Sequence, residues 1–202
     1  MTAELLDASA AGIARAAEVL VGGGLVCFPT DTVYGLACRA DSEPARDRFY
    51  AAKERPADQP SILMAASAEA MGEWVALDAR ALRLAGEHWP GALTLVLPAT
   101  ERALARFGTV VRDGTLAVRI PAHPVALALL RAAAVPLATS SANRAGGDPP
   151  ASSAAALEGL GDGVDAVLVG APGSGRASSI LDLTRPEPRI VREGSIPAAR
   201  RM

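Results

Sequence analysis

Leu25-Val26-Cys27-Phe28-Pro29-Thr30-Asp31-Thr32-Val33-Tyr34-Gly35 sets a polar turn on the end of an apolar run. Residues 25–28 predict a covered β-strand, because an unbroken apolar run suits a strand buried on both faces. Pro29 has no N–H to give a ladder, so pairing ends there. Two hydroxyls and a carboxylate then follow at the strand's carboxyl end, where open α/β sheets hold their ligands. Residues 30–35 are the first place to look for chemistry.

Outward from this stretch, helical and strand patterns alternate. Ser9 caps a helix with Ile13, Ala17 and Leu20 on its apolar face, and Gly22-Gly23-Gly24 ends it. A second helix begins at Ser42, with Pro44 in its first turn, and carries Phe49 and Tyr50 towards Lys53. Strands are expected at 62–64, 93–97, 116–120, 136–139, 166–169, 180–183 and 190–192. Helices are expected at 69–74, 80–88, 125–134 and 153–160. This alternation gives an α/β fold, a single-domain twisted mixed sheet with helices packed on it. Arg144 to Ala151, with Gly146-Gly147 and Pro149-Pro150, is the expected mobile segment.

Composition bounds the function. At 202 residues, 50% of them hydrophobic, the chain can build a full core, and with aromatics at 3% that core must be Ala, Leu and Val. A formal charge of −2 argues against a strongly basic nucleic-acid protein. Cys27 and Cys38 form neither a metal pattern nor a disulfide framework. With no signal-peptide pattern and no apolar run of about 18 residues, a cytoplasmic protein without a membrane partner is expected.

Polar clusters stand at the ends of apolar runs. Lys53 and Arg55 follow the second helix; in an extended turn they point the same way and offer phosphate a point charge and a planar fork. Plain helix C-terminal cations are the alternative. A strand puts Thr115, Ala117 and Arg119 on one face, and a buried arginine needs an anion, whether a ligand or an Asp or Glu. Thr139-Ser140-Ser141-Ala142-Asn143 follows a short strand and suits phosphate oxygens, a base edge or its own backbone. Gly173 to Asp182 is a glycine-rich loop entering a strand, with neither a complete GxGxxG nor a P-loop. His88 and His123 stand apart and fit a helix end and a cap, so neither a metal site nor a Ser–His pair is expected. The remaining chemistry is positioning and charge stabilisation, the means by which phosphoryl and nucleotidyl transfer proceed.

The motifs occur in a telling order: Pro29-Thr30-Asp31-Thr32-Val33-Tyr34-Gly35, Lys53-x-Arg55, Trp89-Pro90-Gly91-x-Leu93-Thr94, Ala117-Val118-Arg119, Ser141-Ala142-Asn143, Ser178-Ser179-Ile180-x-Asp182 and Arg192-x-Gly194. Over residues 9–196 the chain resembles the YrdC family of threonylcarbamoyl-AMP synthases in its short form, which implies one YrdC-like domain over 1–202. The resemblance implies a concave cationic cavity and synthesis of threonylcarbamoyl-AMP and pyrophosphate from L-threonine, bicarbonate and ATP, with Mg²⁺ accompanying ATP. The product would pass to the threonylcarbamoyl transferase complex that modifies adenosine 37 of tRNA, with tRNA itself a further partner. By the same resemblance Thr30, Arg119, Thr139 and Ser178 contact threonine. Lys53, Arg55, Thr115, Ser141, Asn143 and Arg192 contact ATP, and Lys53 and Arg55 are catalytic.

The chain departs from the pattern twice. Gln59-Pro60-Ser61-Ile62-Leu63-Met64 lacks the histidine many relatives carry there, and Arg144-Ala145-Gly146 replaces Leu-Ser-Gly. Two rival readings use the same residues. One is a double-stranded RNA or tRNA-binding module without synthase activity, opposed by the net charge and the few aromatics. The other is the YrdC-like domain of the carbamoyltransferases that mature hydrogenases, whose companion modules do not occur in this sequence.

Overall fold

Alternation of side chains across the strands decides the architecture. The computed structural model describes residues 3–56, 59–171 and 173–197; the expected domain bounds, 1–202, run past these at both ends. The strands are β1 (Glu4–Leu6), β2 (Val26–Phe28), β3 (Gly35–Arg39), β4 (Ile62–Met64), β5 (Leu93–Pro98), β6 (Thr115–Arg119), β7 (Leu137–Ser141), β8 (Ala166–Leu168), β9 (Ser179–Asp182) and β10 (Arg189–Arg192). The helices are α1 (Ala10–Val21), α2 (Glu43–Ala52), α3 (Ala68–Gly72), α4 (Ala79–His88), α5 (Glu101–Phe107), α6 (Pro124–Ala133) and α7 (Ser153–Leu160). All ten strands join one mixed sheet in the order β1-β8-β2-β3-β7-β4-β6-β5-β9-β10.

Each helix starts where a side chain accepts an N–H of the first turn: Ser9, Ser42, Ser67, Asp78, Thr100, His123 and Ser152. Pro at the start of α2 and α6 fits positions whose N–H has no helical partner. As expected, β2 stops at Phe28, directly before Pro29.

One sheet face is closed. Leu36, Leu63, Leu95, Val118, Ala138 and Leu181 point to it, and Phe49, Met71, Leu84, Phe107 and Leu160 from α2, α3, α4, α5 and α7 cover them. The other face is half closed. Val26, Phe28, Ala37 and Leu137 lie under α1 and α6, whose Ala16, Ala17, Ala126 and Ala133 let the two helices pack with little bulk between them. Towards β4, β6, β5 and β9 that face opens into cavities. Alanine, leucine and valine dominate the core, with Phe28, Tyr34, Phe49 and Phe107 as its largest fully buried members.

Three elements lie outside the sequence expectation. β1 has only three residues, β3 (Gly35-Leu36-Ala37-Cys38-Arg39) has no β-branched or aromatic residue, and α5 follows β5 after only two residues. β7 also runs further than expected, so Ser140 and Ser141 belong to the strand and pair with Leu36 and Gly35. The stretch 144–151, expected to be mobile, is tied down at several points. Ala145 N–H donates to Lys53 O, Tyr34 N–H to Pro150 O, and the Asn143 amide to Arg144 O and Gly147 O. After β10 the chain crosses the start of β9 so closely that a Cβ on Gly194 would stand 2.3 Å from the backbone of Ser178 and Ser179. That crossing helps hold Arg192 against Ser178.

Candidate active site

Two cavities occupy the open part of the sheet. The smaller, about 60 Å³, is lined by Thr30, Thr32, Val33, Gly35, Ile62, Met64, Arg119, Thr139, Ser140, Ser141, Ala177, Ser178 and Arg192. The larger, about 470 Å³, is lined by Arg55, Arg112, Arg185, Arg189 and Arg192, by Asp113 and Asp182, and by an apolar floor that includes Ile62, Val96, Ala117 and Ile180. The two share Ile62, Thr139, Ser140 and Arg192 as a common wall.

Arg119 is the centre of the small cavity. It is 3% exposed, and each nitrogen of its guanidinium has a partner, two of them in the turn after β2 and one in the turn before β5. Nε donates to Gly91 O at 2.9 Å, Nη1 to Thr32 Oγ1 at 2.9 Å and Nη2 to Asp31 Oδ1 at 2.8 Å. The same Asp31 oxygen also accepts the N–H of Ala122 at 3.0 Å. Burial pulls the Arg119 pKa down and the Asp31 carboxylate pushes it back up. The anionic partner that a strand arginine requires is therefore intramolecular. With two of its five N–H groups not engaged by these bonds, Arg119 remains a donor to the cavity.

Hydroxyls line the rest of the small cavity, each oriented by the fold. Thr139 Oγ1 donates to Ile62 O, and Ser178 Oγ lies 2.9 Å from Thr94 Oγ1 and accepts from Arg192 Nη2 at 3.1 Å. Thr30 Oγ1 donates to Val33 O at 2.6 Å and accepts the N–H of Thr32 and Val33. Its single proton thus holds its own turn. Met64 adds a thioether to a wall that otherwise carries hydroxyls.

The Lys53–Arg55 pair forms differently from the extended turn expected. Lys53 is the C-cap of α2 in right-handed helical geometry, and Glu54 takes a left-handed φ of 49°. The two cations still meet β7. Lys53 Nζ donates to the carbonyls of Ser141 and Asn143, and Arg55 Nη1 donates to Ser140 Oγ at 3.0 Å. Lys53 is 2% exposed and none of the ion pairs among the described residues uses it. Burial, then repulsion from Arg55, lowers its pKa to about 8. Arg192 donates Nε to Ser178 O, and burial and the nearby Arg119 charge lower its pKa. These cations are held short of an anion.

All four residues expected for threonine, Thr30, Arg119, Thr139 and Ser178, meet in the small cavity. The residues expected for ATP divide. Arg55 and Thr115 line the large cavity, Ser141 the small one and Arg192 both. Lys53, at the C-cap of α2, and Asn143, in the loop after β7, are not among the lining residues and meet the site through the Lys53 bonds to the Ser141 and Asn143 carbonyls. Asn143 Oδ1 is buried without a hydrogen-bond partner. Sequence reasoning did not single out Thr32, Met64, Arg112, Arg185 or Arg189. The first stands inside the quoted turn motif; the three arginines are isolated in loops or at a strand edge and carry no local signal.

The family model for the Sua5/YciO/YrdC domain, described as "Telomere recombination", matches residues 18–194. The chain belongs to this family. It is 40% identical over 196 residues to the threonylcarbamoyl-AMP synthase of Xanthomonas campestris pv. campestris, covering 95% of each chain. It is 37% identical to that of Bacillus subtilis, but covers 54% of it. The chain thus spans about half the length of some curated relatives, the Pyrococcus abyssi synthase among them. Among solved structures, P. abyssi Sua5 complexed with L-threonine superposes with a TM-score of 0.90 at 35% identity, over 98% of this chain and 59% of that one. E. coli YciO superposes with a TM-score of 0.89 at 25% identity, over 99% and 100% of the two chains.

The Asp31–Arg119 contact should carry stability. Asp31→Ala leaves a buried guanidinium without its counter-charge and should cost about 3 kcal/mol or more, read as a lower urea midpoint at unchanged slope. Asp31→Asn, which keeps an acceptor for Arg119 and Ala122, should cost less. A loss below about 1 kcal/mol for Asp31→Ala, the scale of an exposed ion pair, contradicts this assignment.

Proposed function

We propose that the chain is a threonylcarbamoyl-AMP synthase, acting on L-threonine, bicarbonate and ATP and releasing pyrophosphate. The observation that carries the reading is the wall of Ile62, Thr139, Ser140 and Arg192 shared by the two cavities. A small hydroxyl-lined cavity with a buried arginine suits an amino acid. A larger cavity with several guanidinium groups suits a nucleotide. Their common wall is where two substrates can react. The synthase names of the relatives and the threonine complex of P. abyssi Sua5 support the same assignment.

The chemistry follows from charge. The threonine amine attacks the carbon of bicarbonate with loss of water, or that of CO₂ with loss of the amine proton, and gives a carbamate. A carbamate oxygen then attacks the α-phosphorus and pyrophosphate leaves. The nucleophile is already an anion, so no strong general base is needed. The obstacle is repulsion between two anions. Arg119, with Asp31 fixing its orientation, faces the amino acid and its carbamate. Arg192 stands at the shared wall, where carbamate and α-phosphate meet. Lys53 and Arg55 serve the phosphates, in a partly desolvated site where each charge acts more strongly than in water. Ser141 and Asn143 contribute to the same end of the nucleotide, and Thr115 to its other end in the large cavity. Thr139 and Ser178 hydrogen-bond threonine, while Thr30 shapes the pocket through its turn.

Mg²⁺ accompanying the triphosphate would supply charge shielding of the β- and γ-phosphates. Among the described residues no group of three His, Cys, Asp or Glu side chains converges. The product serves a threonylcarbamoyl transferase complex acting on adenosine 37 of tRNA. We place the reaction in the cytoplasm: both cysteines are free and buried, and burial pushes their thiols up to about 12. No helix among the described residues is long and apolar enough to cross a membrane.

Lys53 gives the site a pH dependence. Its pKa of about 8 in the free protein means the ammonium is present below that pH. Above it, binding a polyanion requires taking up a proton. ATP affinity should be flat below pH 8 and fall above it, by up to about tenfold per pH unit. Lys53→Arg, charged throughout, should flatten the curve; a wild-type affinity independent of pH between 7 and 9.5, on the order of the span chosen, contradicts the role. The function itself is tested by incubating the protein with ATP, Mg²⁺, bicarbonate and L-threonine. Pyrophosphate and an adenylate of threonylcarbamate mass should appear only when both threonine and bicarbonate are present. Salt-dependent tRNA binding with no such product would overturn the proposal.

A further inference from the structure

A carboxylate in a cavity that holds a polyanion needs a reason. The large cavity has two, Asp113 and Asp182, among its arginines. Asp182 ends β9 with its side chain only 8% exposed. Its Oδ1 is engaged, accepting the Thr184 N–H at 2.9 Å and the Thr184 hydroxyl at 2.6 Å. Among the described residues its Oδ2 has one long contact, 3.3 Å, to Nη2 of Arg189, whose side chain is 63% exposed. A carboxylate oxygen accepts more than one hydrogen bond, so Oδ2 keeps acceptor capacity on the cavity side.

Strand register places this oxygen relative to the shared wall. Thr139 pairs with Ile62, Ile62 with Ala117, Ala117 with Val96, Val96 with Asp182 and Asp182 with Arg189. This row crosses β7, β4, β6, β5, β9 and β10, and every residue in it lines the large cavity. It begins at the wall where the α-phosphate must meet the carbamate. It passes three apolar side chains and ends at a carboxylate. Four strand spacings of about 4.8 Å put Asp182 roughly 19 Å across the sheet from Thr139. Part of that span belongs to the carbamate and the phosphate. The ribose hydroxyls stay close to the phosphate and fall short. The far edge of a purine, lying over Ile62, Ala117 and Val96, reaches the carboxylate.

We propose that Asp182 reads the nucleobase: its Oδ2 accepts a hydrogen bond from the exocyclic amine of adenine at the far end of the large cavity. This rests on the synthase reading for the orientation of ATP and adds the basis of its choice of base. Adenine presents a donor at that position, whereas guanine and hypoxanthine present a carbonyl oxygen. A carbonyl facing a buried carboxylate leaves two acceptors opposed and neither satisfied, which is the stronger form of discrimination. Thr184 locks the carboxylate from behind. Arg189 sits on the solvent side, where it can follow Oδ2 without blocking it.

Calorimetric titration of the full chain with Mg-ATP and with Mg-ITP, in the absence of threonine and bicarbonate, tests this directly. The two nucleotides differ at one edge of the base: adenine carries an amine at C6 and a bare N1, hypoxanthine a carbonyl at C6 and a proton on N1. The wild-type protein should bind ATP about 10- to 100-fold more tightly than ITP. Asp182→Asn, whose amide both donates and accepts, should bring the two affinities within a few-fold of each other. Equal wild-type affinities for ATP and ITP overturn the proposal without recourse to any variant. So does an Asp182→Asn protein that loses ATP and ITP affinity alike and keeps the wild-type ratio. ATP-selective binding without adenylate formation would overturn the synthase reading alone; failure to bind ATP at all would overturn both.

Discussion

A guanidinium in the middle of a ten-stranded sheet must be satisfied or the sheet does not form around it. Arg119 meets that constraint by drawing in three segments far apart in sequence: the turn after β2 through Asp31 and Thr32, the Gly91 turn before β5, and its own strand β6. The cost of burying the charge is offset by the Asp31 carboxylate, and Asp31 in turn takes the N–H of Ala122 just before α6. The result is one polar anchor joining both halves of the sheet beneath the small cavity. Stability and site geometry therefore rest on the same contact.

The second constraint is coverage. A sheet this wide needs helices on both faces, and here one face is closed while the other is only half closed. The uncovered part is not left apolar. Arginines, hydroxyls and one buried carboxylate stand along its edges, and the apolar floor of Ile62, Val96 and Ala117 lies between them. Lys53, Arg55, Arg119 and Arg192 are each supported by carbonyls or hydroxyls, and among the described residues a carboxylate partner is seen for Arg119 alone. Cations fixed in this way need little rearrangement when an anion arrives, which is the physical meaning of a preorganised site.

Much of this was legible in the sequence, for local reasons. The apolar runs at 25–28, 62–64 and 93–97 are strands, and Ser9, Ser42 and His123 cap helices as their positions imply. The polar clusters that flank those runs do converge, because the mixed sheet leaves part of one face uncovered and they line it. The strand order was not legible, since it depends on pairings such as β1 with β8 that link the two ends of the chain. Nor was the true support of Lys53, whose carbonyl partners lie 88 and 90 residues away on β7 and its following loop. Arg112, Arg185 and Arg189 join the large cavity only through the folding of loops and an edge strand, so no local pattern marks them.

On the synthase reading, amino acid and nucleotide occupy adjoining cavities separated by Thr139, Ser140 and Arg192. A crystal structure of the chain with L-threonine and a non-hydrolysable ATP analogue tests it most directly. Threonine should lie against Arg119 and Ser178 in the small cavity, with the nucleoside in the large cavity and its α-phosphate at the shared wall. Threonine elsewhere, or an α-phosphate remote from that wall, would contradict it.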